Sequence, residues 1–185
     1  DSNFRNKVID EIESIFKSNN LSRLYGLLIH DPLLPLHSKK WKIVSKILGK
    51  YKKNGLIKKI GISLYSTFEL ENIIDIFTPD IIQLPLNVFN QNFLESKTLL
   101  NLKKKKIELH ARSIFLQGSL LQKYHKLDPK FKTWENDFLK WSNYLNRNKI
   151  NNLRACLIFA LKNNTIDKFV IGLDNKKQLL ELKNE

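Results

Sequence analysis

The chain has 185 residues, 42% of them hydrophobic, one cysteine and a formal net charge of +14. That length supports one domain with its own core, and the composition excludes a disordered or fibrous chain. No apolar run approaches the roughly 20 residues of a membrane helix, and a lone cysteine excludes an internal disulfide.

A reducing cytoplasm is the default compartment. Asp1-Ser2-Asn3-Phe4-Arg5 lacks the apolar stretch of a signal peptide. No methionine occurs, position 1 included, so the beginning of the gene product is expected to be absent. Lys and Arg number 32 against 18 Asp and Glu. Such a balance can mark a nucleic-acid binder. Here the charge is mostly lysine, spread over most predicted helices alongside asparagine and isoleucine, as A/T-rich coding produces. The run Lys103-Lys104-Lys105-Lys106 reads as a solvated helix end complementing the helix dipole. No nucleic-acid partner is expected.

In chain order, residues 2–19 carry helical apolar spacing, with Ser2 as N-cap. Tyr25 to His30 is a short strand stopped by Asp31-Pro32. Residues 38–53 are helical and close at Asn54-Gly55. Ile57 to Ser63 is the second strand, and Thr67 caps a helix to about Phe77. Ile81 to Leu84 is the third strand, and a helix near 95–105 precedes the fourth, Ile107 to Ser113.

A longer excursion over 117–148 carries an aromatic helix with Phe131, Trp134, Phe138 and Trp141 at helical spacing, read as packing surface. Residues 149–162 are helical, with Cys156 in the core. Lys168 to Gly172 is the fifth strand, and Asn175 opens the last helix. Short apolar strands separated by helices predict a parallel sheet covered on both faces. The expected fold class is α/β, a partial (β/α)8 TIM barrel of about five parallel strands with flanking helices, in a single domain over residues 1–185.

In a parallel barrel the chemistry sits at the carboxyl ends of the strands. The polar residues there are His30, Ser63, Gln83, Arg112 with Ser113, and the Gly172 turn. Ser and Gln both donate and accept, which suits a carboxamide. A glycine turn opening a helix can offer N–H groups to a phosphate. Together they suggest a nucleotide bearing an amide, which points to nicotinamide.

The segments Leu27-Leu28-Ile29-His30-Asp31-Pro32, Ile60-Gly61-Ile62-Ser63, Ile82-Gln83-Leu84-Pro85-Leu86-Asn87, Arg112-Ser113-Ile114-Phe115-Leu116-Gln117-Gly118 and Ile171-Gly172-Leu173 occur in the order and spacing of a known family. The chain resembles the aldo-keto reductases, and looks closest to a bacterial branch linked to surface-sugar biosynthesis. The resemblance implies NADP or NAD as cofactor, no metal, and a small carbonyl substrate, with a sugar derivative among the candidates. It matches His30 to the histidine that hydrogen-bonds the substrate carbonyl, and Ser63 and Gln83 to the grip on the nicotinamide carboxamide. Arg112 falls where the family usually places a tyrosine stacking on the nicotinamide. Ser113, Leu116 and Gln117 match the pyrophosphate loop, and Gly172, Gln178 and Glu181 the adenosine end.

Three departures stand out. Leu64 replaces a frequent asparagine at the carboxamide. Asp174 and Gln178 stand where many members carry arginine for a 2′-phosphate, with Lys176 and Lys177 nearby, so NADP against NAD stays open. The family's tyrosine acid, with its lysine and aspartate, lies on strands before the one ending in His30, where this chain has only a helix. Tyr65 lies near the site, on the cofactor loop. A full barrel of this kind has eight strands and about 250 residues. The expectation is therefore a C-terminal part lacking roughly three βα units, inactive alone. A non-catalytic nucleotide-binding or regulatory module on the same scaffold is the alternative.

Overall fold

The computed structural model describes residues 2–95 and 97–185. The chain divides into two compact units, one of Asp1–Leu84 with Asn92–Leu109 and one of Pro85–Gln91 with His110–Glu185. Its sheet runs in the order β1-β2-β3-β4-β5, and every strand register described is parallel.

Unit 1 opens with α1 (Ser2–Ser18), β1 (Leu24–Ile29), α2 (Ser38–Lys53) and β2 (Ile57–Ser63). On α1 only Ile12 is fully buried. Phe16 stacks on Tyr51 of α2 at 6.3 Å, and α2 buries Val44, Ile47 and Leu48. The predicted stop holds: Asn54 caps α2 through its N–H, and Gly55 takes φ +71°, the left-handed turn glycine adopts without a Cβ penalty.

Gly26 pairs with Lys59 and Ile29 with Ile62. Gly61 is a packing requirement, since a Cβ there would lie 2.3 Å from Leu28 Cδ2 and 2.6 Å from the Ile81 carbonyl oxygen. Ile62, Leu64, Leu70, Ile73, Ile82 and Leu84 have no exposed surface. They fill a core between the strands and α3 (Thr67–Ile73).

Thr67 is not the cap expected from the sequence. Ser66 caps α3: its Oγ accepts from the Glu69 N–H while the Glu69 carboxylate accepts from the Ser66 N–H. Ser and Thr are both good caps, and the glutamate three residues beyond Ser66 decides between them. The helix is shorter than the predicted 67–77 because its last turn tightens, with the Ile76 and Phe77 N–H groups both donating to Ile73 O.

β3 (Ile81–Pro85) follows Asp80, whose Oδ2 accepts from Ile60 N at 2.8 Å and from Lys52 Nζ at 2.5 Å. α4 (Asn92–Glu95) and α5 (Lys97–Lys104) replace the single helix predicted near 95–105, with Ser96 outside the described residues. β4 spans Glu108–Arg112, and its first two residues belong to unit 1. At the amino-terminal end of these strands, Glu108 accepts from Tyr25 Oη at 2.5 Å and pairs with Lys59. The hydrogen bonds to Glu108 and then Tyr25 hold the Lys59 ammonium above the usual lysine range.

Unit 2 contains the rest of β4, α6 (Glu135–Asn148), α7 (Asn152–Leu161), β5 (Lys168–Phe169) and α8 (Lys176–Lys183). β5 pairs with β4 through His110↔Lys168 and Ala111↔Phe169. It is shorter than the predicted 168–172, since one further bond, Val170 N–H to Ala111 O at 2.7 Å, continues the ladder before the chain turns out to exposed Gly172.

The core of this unit is Leu120, Phe138 and Cys156, with Phe131 and Trp141 packed against it. The aromatic stripe is packing surface as expected, save Trp134, which is 52% exposed. The stripe is only partly α-helical. Pro129–Trp134 is a 3-10 run begun by the Asp128 cap, and α6 follows. Burial pushes the Cys156 thiol up to about 12.

Candidate functional site

The strand-end residues of unit 1 form a row. Ser63 pairs with Gln83 across β2 and β3. Ile62, one residue earlier, pairs with Ile29, so His30 continues β1 at the level of Ser63. Register partners in a parallel sheet project from the same face. His30, Ser63 and Gln83 are thereby brought to one rim at the carboxyl end of three strands. Ser63 is buried at 4% exposure, Gln83 is half-buried and His30 is exposed. The main chain leaves this rim with Leu64 N–H donating to Gln83 O at 2.8 Å. Leu64 itself is fully buried, so its side chain belongs to the core and offers no second amide.

Tyr65 follows, and here the structure adds a contact. Its hydroxyl lies 3.3 Å from His30 Nε2, and the rings meet edge to face with centroids 6.3 Å apart. The Glu69 carboxylate that completes the α3 cap also accepts from Tyr65 N–H at 2.6 Å. The cap thus fixes the backbone carrying the phenol. The spacing of Ser66 and Glu69 signals this cap in the sequence, while nothing local signals the contact of Tyr65 with His30.

The unit 2 residues are held by a loop and a helix. After β4 the backbone enters the left-handed region at Ser113 (φ 63°), Leu116 (47°), Gln117 (54°) and Gly118 (84°). Only Gly118 does so freely; the others each carry a cost of about 1–3 kcal/mol. Their surroundings impose it. Asn87 Nδ2 donates to Ser113 O at 3.2 Å, Leu116 packs into the aromatic core, and Ser119 N–H donates to Leu116 O at 3.0 Å. Arg112 Nη1 donates to Ser113 Oγ at 3.4 Å.

A pocket of about 470 Å³ lies beside this loop, with Ser113, Gln117, Gly172, Asp174, Gln178 and Glu181 among its lining. Five of the predicted cofactor residues therefore share one cavity. Leu116 is not in its lining, and Arg112 borders it through Ser113. Asp174 is the polar residue that the expected set left out. Its N–H donates to Gln178 Oε1 at 2.7 Å, and its Oδ2 accepts from Gln178 Nε2 at 3.2 Å. Asn175 caps α8 by accepting from Gln178 N–H at 3.0 Å. Lys130, which no motif signalled, donates to Gln117 Oε1 at 3.5 Å.

Among the described residues no group of three or more His, Cys, Asp or Glu could hold a metal ion, and no helix is long and apolar enough to cross a membrane.

Comparison with known proteins gives a consistent result. The family model described as "Aldo/keto reductase family" matches residues 2–184. Among solved structures, the aldo-keto reductase AKR11C1 from Bacillus halodurans superposes with a TM-score of 0.74 at 13% identity, over 97% of this chain and 62% of that one. The glycerol dehydrogenase AKR11B4 from Gluconobacter oxydans gives a TM-score of 0.63 at 15% identity, over 97% and 63%. A Gox0644 variant in complex with NADPH gives 0.63 at 19% identity, over 96% and 58%. At these identities the likeness shows the fold, a parallel α/β sheet flanked by helices. The chain spans about three fifths of each of these structures. Among curated protein sequences none matches it.

Proposed function

The chain belongs to the aldo/keto reductase family, and from that premise we propose that it serves NAD(P)H-dependent reduction of an aldehyde or ketone, as the carboxyl-terminal part of a larger barrel. The observation that carries this reading is the row of His30, Ser63 and Gln83 on one rim of β1, β2 and β3. A histidine beside a hydroxyl and a carboxamide at strand ends is the chemistry needed to orient a carbonyl next to an amide-bearing ring.

The donor set fits the cofactor. Ser63 and Gln83 each offer both a donor and an acceptor, as a carboxamide requires. The unit 2 pocket combines a hydroxyl, amides and carboxylates, which match ribose hydroxyls. In unit 1 the proposal assigns His30 to the substrate oxygen and Ser63 and Gln83 to the nicotinamide amide. In unit 2 it assigns Arg112 to the ring by guanidinium stacking. Ser113, Leu116 and Gln117 take the pyrophosphate, Leu116 through its backbone alone, while Gly172, Gln178 and Glu181 take the adenosine.

The bound cofactor supplies a hydride. His30 fixes the carbonyl oxygen by hydrogen bonding, and the Tyr65 hydroxyl now on Nε2 must give way for that bond to form. The alkoxide needs a proton, and a positioned acid is worth roughly 10²–10⁴-fold. Tyr65 is the phenol at this rim, held against His30, and the proposal gives it no acid role. The isolated 185-residue chain is accordingly proposed to bind NAD(P)H without turning over.

The test titrates the purified chain with NADH and NADPH, then follows oxidation of the reduced cofactor with a generic aldehyde. Binding without oxidation is expected. Turnover that disappears in Tyr65→Phe would place the acid on Tyr65 and end the claim of inactivity. Failure to bind either nucleotide would end the reading itself.

A further inference from the structure

We infer that the unit 2 pocket takes a ribose with a free 2′-hydroxyl and rejects one carrying a 2′-phosphate, so that the chain prefers NAD(H) to NADP(H). This rests on the dinucleotide reading above and adds its specificity. The charged groups that line the pocket, among the described residues, are the carboxylates of Asp174 and Glu181; neither lysine nor arginine is in the lining. A carboxylate accepts hydrogen bonds and is matched by a hydroxyl donor, whereas a phosphomonoester brings a second negative charge. Dinucleotide sites of another fold follow this rule, with an acidic residue on the 2′-hydroxyl for NAD and an arginine on the 2′-phosphate for NADP.

The cations nearby do not reverse the sign: Arg112 Nη1 and Lys130 Nζ reach the lining at Ser113 Oγ and Gln117 Oε1, the residues the reading above gives to the pyrophosphate, which both nucleotides share. Lys177 Nζ lies 3.8 Å from Glu181 Oε1 on the exposed side of α8, with 85% of its side chain in solvent. Lys176 is exposed and absent from the lining. The start of α8 is occupied by the chain's own groups, because Asn175 Oδ1 takes the Gln178 N–H and Asp174 closes on the Gln178 amide. Asp174 is therefore both held in place by two hydrogen bonds and exposed at the mouth of the cavity.

The probes are ADP-ribose and 2′-phospho-ADP-ribose, titrated calorimetrically into the full chain at low salt. Both lack nicotinamide, so Ser63 and Gln83 do not enter the comparison. ADP-ribose is expected to bind tighter by roughly tenfold or more, as like-charge contact costs on that scale, and the gap narrows as salt screens it. Asp174→Asn keeps the hydrogen-bonding shape and should shrink the gap. Asp174→Arg should reverse it. Circular dichroism checks that both variants are folded, and Glu181→Gln gives an independent second loss of charge. Equal or tighter binding of the 2′-phosphate compound to the unaltered chain overturns the inference and leaves the dinucleotide reading intact. Binding of neither compound overturns both.

Discussion

In unit 1, His30, Ser63 and Gln83 owe their alignment to strand pairing and sit above a core with no exposed surface at Ile62, Leu64 and Ile82. In unit 2, Ser113, Gln117 and Gln178 stand on a left-handed loop and a helix start, beside exposed Gly172, Leu173 and Asp174. Precision in the first comes from the regular repeat of a ladder. In the second it comes from many local hydrogen bonds that hold an irregular backbone. Mutations should therefore damage the first through stability and the second through ligand choice.

The sharpest way to break that contrast is a pair of glycine substitutions. Gly61→Val places its Cβ against the Ile81 carbonyl oxygen and should destabilise the chain by at least about 2 kcal/mol, read as a lower urea midpoint or loss of soluble protein. Gly172→Ala meets no atom within 4 Å and should stay within about 0.5 kcal/mol. Equal costs at both positions would erase the distinction.

Ser66→Ala removes the cap under Tyr65 and should cost about 1 kcal/mol, with Ser66→Thr restoring most of it in the same urea titration. An effect below the noise of that titration would mean that packing, not the cap, holds α3.

The Tyr25–Lys59–Glu108 cluster sharpens the comparison through pH. Lys59 is held above its ordinary value by hydrogen bonds to Glu108 and then Tyr25. Its stabilisation is therefore complete below the unfolded pKa and is lost as pH rises through the higher folded pKa. With the pair partly exposed, the loss should be at most about 1 kcal/mol, and Lys59→Gln should flatten the stability curve above about pH 10. A curve of Lys59→Gln parallel to that of the parent would discount the pair.

The smallest effect is at Cys156. A thiol pushed up to about 12 by burial should resist alkylation at neutral pH until the chain unfolds. Rapid labelling of folded protein would show that the unit 2 core opens readily.

The strand ends were legible because burial on both faces leaves apolar runs whose termini are marked by the first polar residue, as in Ile62-Ser63 and Ile29-His30. β2 follows its predicted bounds and β1 and β3 lie within a residue of theirs. Gly61 looked like part of a motif, yet its requirement for no Cβ depends on Leu28 and Ile81, distant in sequence. Thr67 and Ser66 are adjacent hydroxyl residues, and only the reach of Glu69 separates them. Leu116 carries an apolar side chain that says nothing of its φ of 47°, which tertiary packing imposes. The contact of Tyr65 with His30 joins residues 35 positions apart and has no local signature. The partnership of Asp174 with Gln178 spans one helical turn and could have been read from the sequence as a hydrogen-bonded pair.

β2 lies between two neighbouring strands, and this position sets the order in which the molecule breathes. The amide of fully buried Ile62 should exchange with solvent deuterium only when a neighbouring strand lets go, and so report the slowest opening in unit 1, whereas the Ile60 amide is held by the Asp80 carboxylate. The two-residue β5 has little ladder to lose, and the amide of Val170, bonded just past its end, should exchange far sooner. The ladder that aligns His30 in unit 1 should thus outlast the short one that precedes Gly172 in unit 2.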